Sequence, residues 1–275
     1  MLHIYTMGSD ESKMAELKNS ASQANVKIHY VVNHFWNGYV DKLTTMKKSI
    51  SHLPDDAIVC MIDAYDVLVY ANEEEILKKF KEYDCNILFS GELTCYPEKN
   101  VEKYNEIYKK TKLPCNFKYV NSGGYIGYKK SVMNLYDWKP LNEIHKICDV
   151  GGDQTYLTQY FLEHANDPNV NVKIDMEQKI FQSMCKIEFG DFEFIQGRLH
   201  NKILDQYPCF VHFNGYSIYN LEILNLHNSK KENALQVFMK HQKKSLETNA
   251  IEHLHYVVPF FIMIDGVTQH NKPQK

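Results

Sequence analysis

The chain has 275 residues, 44% of them hydrophobic, and a formal net charge of −3, enough for one large α/β domain or a domain with an appendage. Lysines and acids are interspersed without a long basic stripe, so a nucleic-acid partner has no electrostatic footprint here. Seven cysteines with no Cys-x-x-Cys pair argue against a disulfide scaffold or a structural zinc site, and Cys60 and Cys209 lie within apolar runs as small core residues.

Strand-like and helix-like segments alternate through the first half. Leu2 to Thr6 reads as a strand ending in the turn Gly8-Ser9-Asp10, and Glu11 to Ala24 as a helix. Val26 to Val32 is a second strand, and Asp41 to Leu53 a helix stopped by Pro54. Ile58 to Asp63 is an apolar, partly β-branched strand, followed by a helix over 72–83 and a strand over 86–90. This βαβαβαβ order predicts a mainly parallel sheet covered on both faces. Glu98 to Lys110 reads as a surface helix, and Tyr119 to Tyr128 as a strand interrupted by glycines. Asp153 to Glu163 reads as a helix with Tyr156, Tyr160 and Phe161 toward the core. Short strands are expected over 172–174, 193–196 and 209–213, then a charged amphipathic helix over 229–248. The expected division is one domain over 1–225 and a C-terminal helix and tail over 226–275. The longest apolar stretch, Val257 to Ile264, carries Pro259 and is too short to span a bilayer. Residues 1–7 read as a strand rather than a leader, so an intracellular, cytoplasmic chain with no membrane span is expected.

The chemistry concentrates where the third strand ends. Asp63 and Asp66 follow the apolar run, at the carboxyl end of a sheet strand where open α/β sheets bind ligands. Carboxylates this close repel each other unless a cation lies between them. Mg²⁺ or Mn²⁺ holding a phosphate is the economical explanation; two solvated turn aspartates are the alternative. His212 closes the apolar strand before Asn214-Gly215; a lone strand-end histidine is more often a satisfied structural residue, and it becomes a candidate third ligand because the aspartate pair lacks one and imidazole is acceptable to Mn²⁺. The glycines of Asn121-Ser122-Gly123-Gly124 mark a bulge or a close approach by a ligand. In Asp149-Val150-Gly151-Gly152-Asp153-Gln154, a glycine turn delivers Asp153 to a helix start, where it caps the helix, orients a sugar hydroxyl or acts as a base. Trp36 sits in the loop after the second strand, placed to stack on a nucleobase, and Lys42 to reach a phosphate; a half-buried ring and a solvated ammonium are the plain alternatives.

Taken in order, seven blocks resemble the glycosyltransferase domain of the procollagen lysyl hydroxylase/glycosyltransferase family. They are Met61 to Val67, Ile76 to Phe80, Leu88 to Glu92, Val120 to Tyr128, Asp153 to Thr158, Lys179 to Gln182 and Val211 to Gly215. The resemblance runs to about residue 225. It implies a GT-A fold, a Rossmann-like, mainly parallel sheet flanked by helices, that binds Mn²⁺ (or Mg²⁺) and a UDP-sugar. Asp63, Asp66 and His212 would be the metal ligands. Trp36 and Tyr65 would meet the nucleoside, Lys42 the phosphates, and Asn214 with Gly215 the diphosphate. Asp149 and Asp153 would be the catalytic carboxylates facing sugar and acceptor, with Tyr96, Asn121, Ser122, Gly123, Gly124 and Gln154 binding substrate.

The implied reaction moves a hexose from UDP-glucose or UDP-galactose to hydroxylysine or galactosyl-hydroxylysine of a collagen-like protein. Three departures bear on sugar and acceptor. Gly151 and Gly152 stand at acidic positions of the family, Tyr96 stands where it has tryptophan, and the loop from Trp36 to Lys42 is short. They motivate a glycan acceptor as one alternative. A dimeric UDP-sugar-binding scaffold without transfer activity, joined through 256–264, is another. A phosphohydrolase with an aspartyl nucleophile fits poorly, because its downstream lysine and acidic motif are missing. Lysyl hydroxylation is not expected of this chain.

Overall fold

The computed structural model describes residues 1–113, 115–187 and 192–217; the amphipathic segment over 229–248 and the apolar segment over 256–264 lie outside them. The chain divides into two units, Met1–Ser183 with Pro208–His212, and Met184–Tyr207 with the chain from Phe213 onward.

In the first unit, β1 (Leu2–Gly8) leads through a short turn into α1 (Ala15–Gln23), and β2 (Ile28–Val32) is followed by α2 (Tyr39–Ile50). Next come β3 (Ile58–Asp63), the three-residue β4 (Val67–Val69), α3 (Glu73–Glu82), β5 (Ile87–Glu92) and α4 (Val101–Tyr108). The ten-residue β6 (Tyr119–Tyr128) runs into α5 (Lys129–Tyr136), and α6 (Leu141–His164) precedes β7 (Val172–Asp175) and β8 (Phe181–Ser183).

Among the described residues the main sheet has six strands in the order β2-β1-β3-β6-β5-β7. Pairings β1–β2, β1–β3 and β5–β7 are parallel, whereas β6 runs antiparallel to both its neighbours. The mainly parallel sheet read from the sequence is therefore found, with one reversed strand that the pattern did not announce. Because β1 lies between β2 and β3, the strand order reverses at β1. The carboxyl ends of β1 and β3 thus flank a switch-point crevice.

Alternation of side chains along the strands builds two cores. Val59, Met61, Ile87, Phe89 and Tyr125 join the apolar stripe of α2 (Val40, Leu43, Met46, Ile50) and Tyr156, Tyr160 and Phe161 of α6. On the other face Ile4, Cys60, Ile62, Leu88 and Ile126 meet Leu17 of α1, and Ile76 and Phe80 of α3. Cys60 and Cys209 are wholly buried there, and all seven cysteines are free thiols.

A second small sheet, β4-β11-β8, contains β11 (Phe210–His212). Its register sets His212 opposite Val67, the residue after Asp66. The second unit, described by itself, contains the hairpin of β9 (Phe192–Ile195) and β10 (Arg198–Asn201). Among the described residues no helix is long and apolar enough to cross a membrane.

Candidate active site

Asp63 ends β3, two residues of turn follow, and Asp66 begins the run into β4, so both carboxylates leave the sheet at its switch point. The β4–β11 register then brings His212 to them. His212 Nε2 stands 3.2 Å from Asp66 Oδ2 and 3.6 Å from Asp63 Oδ2. One ligand atom from each of the three residues lies within 4.8 Å of the others. Two hard oxygens and an imidazole nitrogen suit Mn²⁺ or Mg²⁺.

The imidazole is held in the orientation such a site needs. Asn121 Oδ1 accepts the Gly123 N–H at 2.9 Å and lies 3.0 Å from His212 Nδ1, so Nδ1 carries a proton toward Asn121 and Nε2 is the ring nitrogen turned to the aspartates. Burial alone would lower the His212 pKa, but Asp66 and Asp63 outweigh it and raise it.

The glycine pair gives the ring its room. Between Phe89 and Ser90 the β5–β6 register jumps from Tyr125 to Asn121, so Ser122, Gly123 and Gly124 form the bulge. A Cβ on Gly123 would lie 2.0 Å from His212 Cε1, and one on Gly124 would lie 2.6 Å from the Phe181 ring. The close approach anticipated at this pair is made by protein side chains.

Lys42, on the first turn of α2, bridges two carboxylates. Its Nζ is 2.6 Å from Asp63 Oδ1 and 2.7 Å from Asp153 Oδ2. Burial would lower its pKa, yet Asp153 and Asp63 hold it above the ordinary lysine value, so it is permanently charged. The chain of contacts continues from Asp153. Ser122 Oγ donates to Asp153 Oδ1 at 3.3 Å, and the Ser122 N–H to Gln154 Oε1 at 3.3 Å. Gln154 Nε2 donates to Glu92 Oε1 at 2.6 Å, and the Asn121 side chain also bonds Glu92. Asn121 returns the chain to His212. A closed ring of polar contacts therefore links the aspartate pair to Asp153.

Glu92 was not singled out from the sequence as a site residue. It ends buried β5 as Asp63 ends β3, and that shared position was the available signal. It is 4% exposed, and burial raises its pKa against the hydrogen bonds from Gln154 and Asn121.

The remaining candidates are not members of this ring. Asp149 is exposed on the other side of the Gly151-Gly152 break in α6 and lines a cleft with Tyr96 and Gln154. The Tyr65 hydroxyl accepts the N–H groups of Ser9 and Asp10 at 2.6 and 2.9 Å, tying it to the carboxyl end of β1. Trp36 is partly exposed and meets Tyr39 in a T-shaped pair. Asn214 and Gly215 belong to the second unit. There Asn214 Oδ1 accepts the N–H groups of Met184 and Cys185 at 3.2 and 3.1 Å, and Gly215 has φ 57°.

An α/β sheet with an acid pair and a histidine at its switch point is the kind of crevice in which open α/β folds bind ligands. The particular family follows from comparison: residues 6–236 match the PLOD GT domain, and the chain belongs to that glycosyltransferase family. Procollagen-lysine,2-oxoglutarate 5-dioxygenase of Drosophila melanogaster is 27% identical over 250 residues, covering 85% of this chain and 33% of that protein. Procollagen-lysine,2-oxoglutarate 5-dioxygenase 1 of Gallus gallus is 28% identical over 214 residues, covering 72% and 28%. The chain thus spans about a third of the length of these curated relatives. Uncharacterized protein R699 of Acanthamoeba polyphaga mimivirus is 26% identical over 177 residues, covering 63% of this chain and 35% of that protein. Among solved structures, a glycosyltransferase involved in the glycosylation of the major capsid of PBCV-1 is similar at a TM-score of 0.44 and 11% identity, covering 78% of this chain and 93% of that one.

Proposed function

We propose that this chain transfers a hexose from a UDP-sugar, UDP-glucose or UDP-galactose, to a hydroxyl acceptor, with Mn²⁺ or Mg²⁺ held by Asp63, Asp66 and His212. The observation that carries the reading is the Asp63–Asp66–His212 cluster, its imidazole fixed by Asn121 with Nε2 toward the carboxylates. When bound, the cation supplies Lewis-acid neutralisation of the departing diphosphate. Lys42 adds a fixed positive charge beside Asp63, oriented by two ion pairs, where developing phosphate charge is to be stabilised. Asp153, with both oxygens engaged by Lys42 and Ser122, positions Lys42. Asp149 is exposed at the cleft, within reach of an incoming hydroxyl. Trp36 and Tyr65 are assigned to the nucleoside, and Asn214 with Gly215 to the diphosphate.

The names of the relatives, which refer to procollagen lysine, support a collagen-like acceptor, read here as hydroxylysine or galactosyl-hydroxylysine. The glycines at 151 and 152, which bring no carboxylate to the cleft, favour a glycan acceptor as the second reading. Incubation with each UDP-hexose, Mn²⁺ and either collagen peptides or free glycosides, read by mass spectrometry, tests both. Hexose addition to one class identifies the acceptor, and no addition to either contradicts the transferase reading.

A further inference from the structure

Lys42 stands between two carboxylates of very different burial. Asp63 closes β3 at the mouth of the crevice with its side chain 32% exposed, whereas the Asp153 side chain is 6% exposed. The Lys42 ammonium donates a hydrogen bond to Asp63 Oδ1 at 2.6 Å. Asp153 Oδ2 is almost as near, at 2.7 Å, yet this buried oxygen receives no aligned hydrogen bond. Leaving Asp153 would strand a buried charge, which is strongly destabilising, while a partly exposed ion pair such as that with Asp63 is worth little. A turn of the ammonium from Asp63 toward Asp153 therefore gives up the weaker partner and supplies the missing hydrogen bond. A four-carbon stem with three rotatable donors permits that turn.

Asp63 is also the carboxylate that Lys42 shares with the candidate cation site. Its Oδ1 is held by Lys42 while its Oδ2 faces His212 Nε2 at 3.6 Å. The ammonium offsets one of the two negative charges that the aspartate pair offers a cation, and it would repel a divalent cation on the other side of the same carboxylate. A diphosphate removes this conflict. Its anionic oxygens attract the ammonium and the cation alike, and Lys42 can turn to them while Asp153 keeps hold of it.

We propose that Lys42 is an internal counter-ion that couples the two ligands of the site. On Asp63 it holds divalent-cation affinity down. The diphosphate draws it off Asp63, with Asp153 as the pivot, so that cation and nucleoside diphosphate bind tightly only together. The inference rests on the cation and diphosphate assignments of the proposed function. By linkage, the factor that the diphosphate adds to cation affinity is the factor that the cation adds to diphosphate affinity.

The test uses the full chain, with Mn²⁺ affinity read by calorimetry without nucleotide and UDP affinity read in EDTA and at saturating Mn²⁺. Two comparisons are made: Lys42→Met against the wild type, and Lys42→Met/Asp153→Asn against Asp153→Asn. The second leaves no lone buried carboxylate, so it decides the question even where Lys42→Met alone does not fold. Loss of the ammonium should tighten Mn²⁺ without nucleotide about tenfold, about 1.4 kcal/mol. It should also weaken UDP in EDTA and shrink the gain in UDP affinity that Mn²⁺ gives. A merely structural Lys42 would weaken both ligands together, so the opposite signs distinguish the two roles. Mn²⁺ affinity that is unchanged or weaker without the ammonium, in a protein whose UDP binding still gains from Mn²⁺, overturns the coupling and keeps the cation site. A wild type that binds neither Mn²⁺ nor UDP in its presence overturns the cation assignment, and this inference with it.

Discussion

Gly123 and Lys42 show how much of the site is decided one residue at a time. The His212 imidazole occupies the volume a side chain at 123 would need. Gly123→Ala should therefore displace the ring, cost about 1–3 kcal/mol of stability as overpacking does, and weaken Mn²⁺ binding by more than the fold loses. Calorimetric titration with Mn²⁺ beside a denaturant melt separates the two effects; a destabilised variant that still binds Mn²⁺ normally would contradict the geometry. Lys42 has a different dependence. Removing its charge leaves Asp153, 6% exposed at its side chain, as an uncompensated buried carboxylate. Lys42→Met should cost about 3 kcal/mol, and adding Asp153→Asn should recover part of that in a double-mutant cycle. Additive losses would mean that the pair is not coupled in solution.

At the scale of elements, the break in α6 and the β9–β10 hairpin each make a measurable commitment. Gly152→Ala puts a Cβ into a glycine-only conformation and against the Tyr39 ring, so it should lower stability by about 1–3 kcal/mol. Gly151, at φ −173°, carries no such backbone strain. In the hairpin, His200 sits across from Glu193 at 2.9 Å and bonds Asp205 at 2.9 Å, with Tyr207 stacked on its ring. Hydrogen bonds to Glu193 and Asp205 raise its pKa above the unfolded value of 6.5. Its stabilisation is therefore complete below that value and is lost as pH rises through the raised one. The gap in thermal stability between the wild type and His200→Gln should shrink as pH rises above 6.5; a gap that widens would reverse the assignment.

For the whole molecule, the frame was legible because parallel strands buried on both faces read as apolar runs punctuated by helices, as Ile58 to Asp63 and Ile87 to Phe89 do. The direction of β6 was not legible, since pairing partners rather than local pattern set it. Nor were β4 and β8, whose three residues apiece are too few for a period. The helix α5 and the first half of α6 were passed over although Val132, Leu135 and Tyr136 of α5 carry helical spacing. At the site, the acid pair stood out because charge ended an apolar run, and Asp153 because glycines preceded it. Glu92 was invisible because its role depends on a neighbour far along the chain, Gln154.

The fold places Asp63, Asp66 and His212 together by the turn from β3 to β4 and the pairing of β4 with β11, and the account stands on that cluster binding a divalent cation for UDP. The most direct measurement is UDP affinity by calorimetry with and without Mn²⁺, on the wild type and on Asp66→Ala. The account predicts tight binding only with Mn²⁺ in the wild type, and loss of that metal-dependent gain in Asp66→Ala. Equal affinity in both proteins with Mn²⁺ present would contradict it.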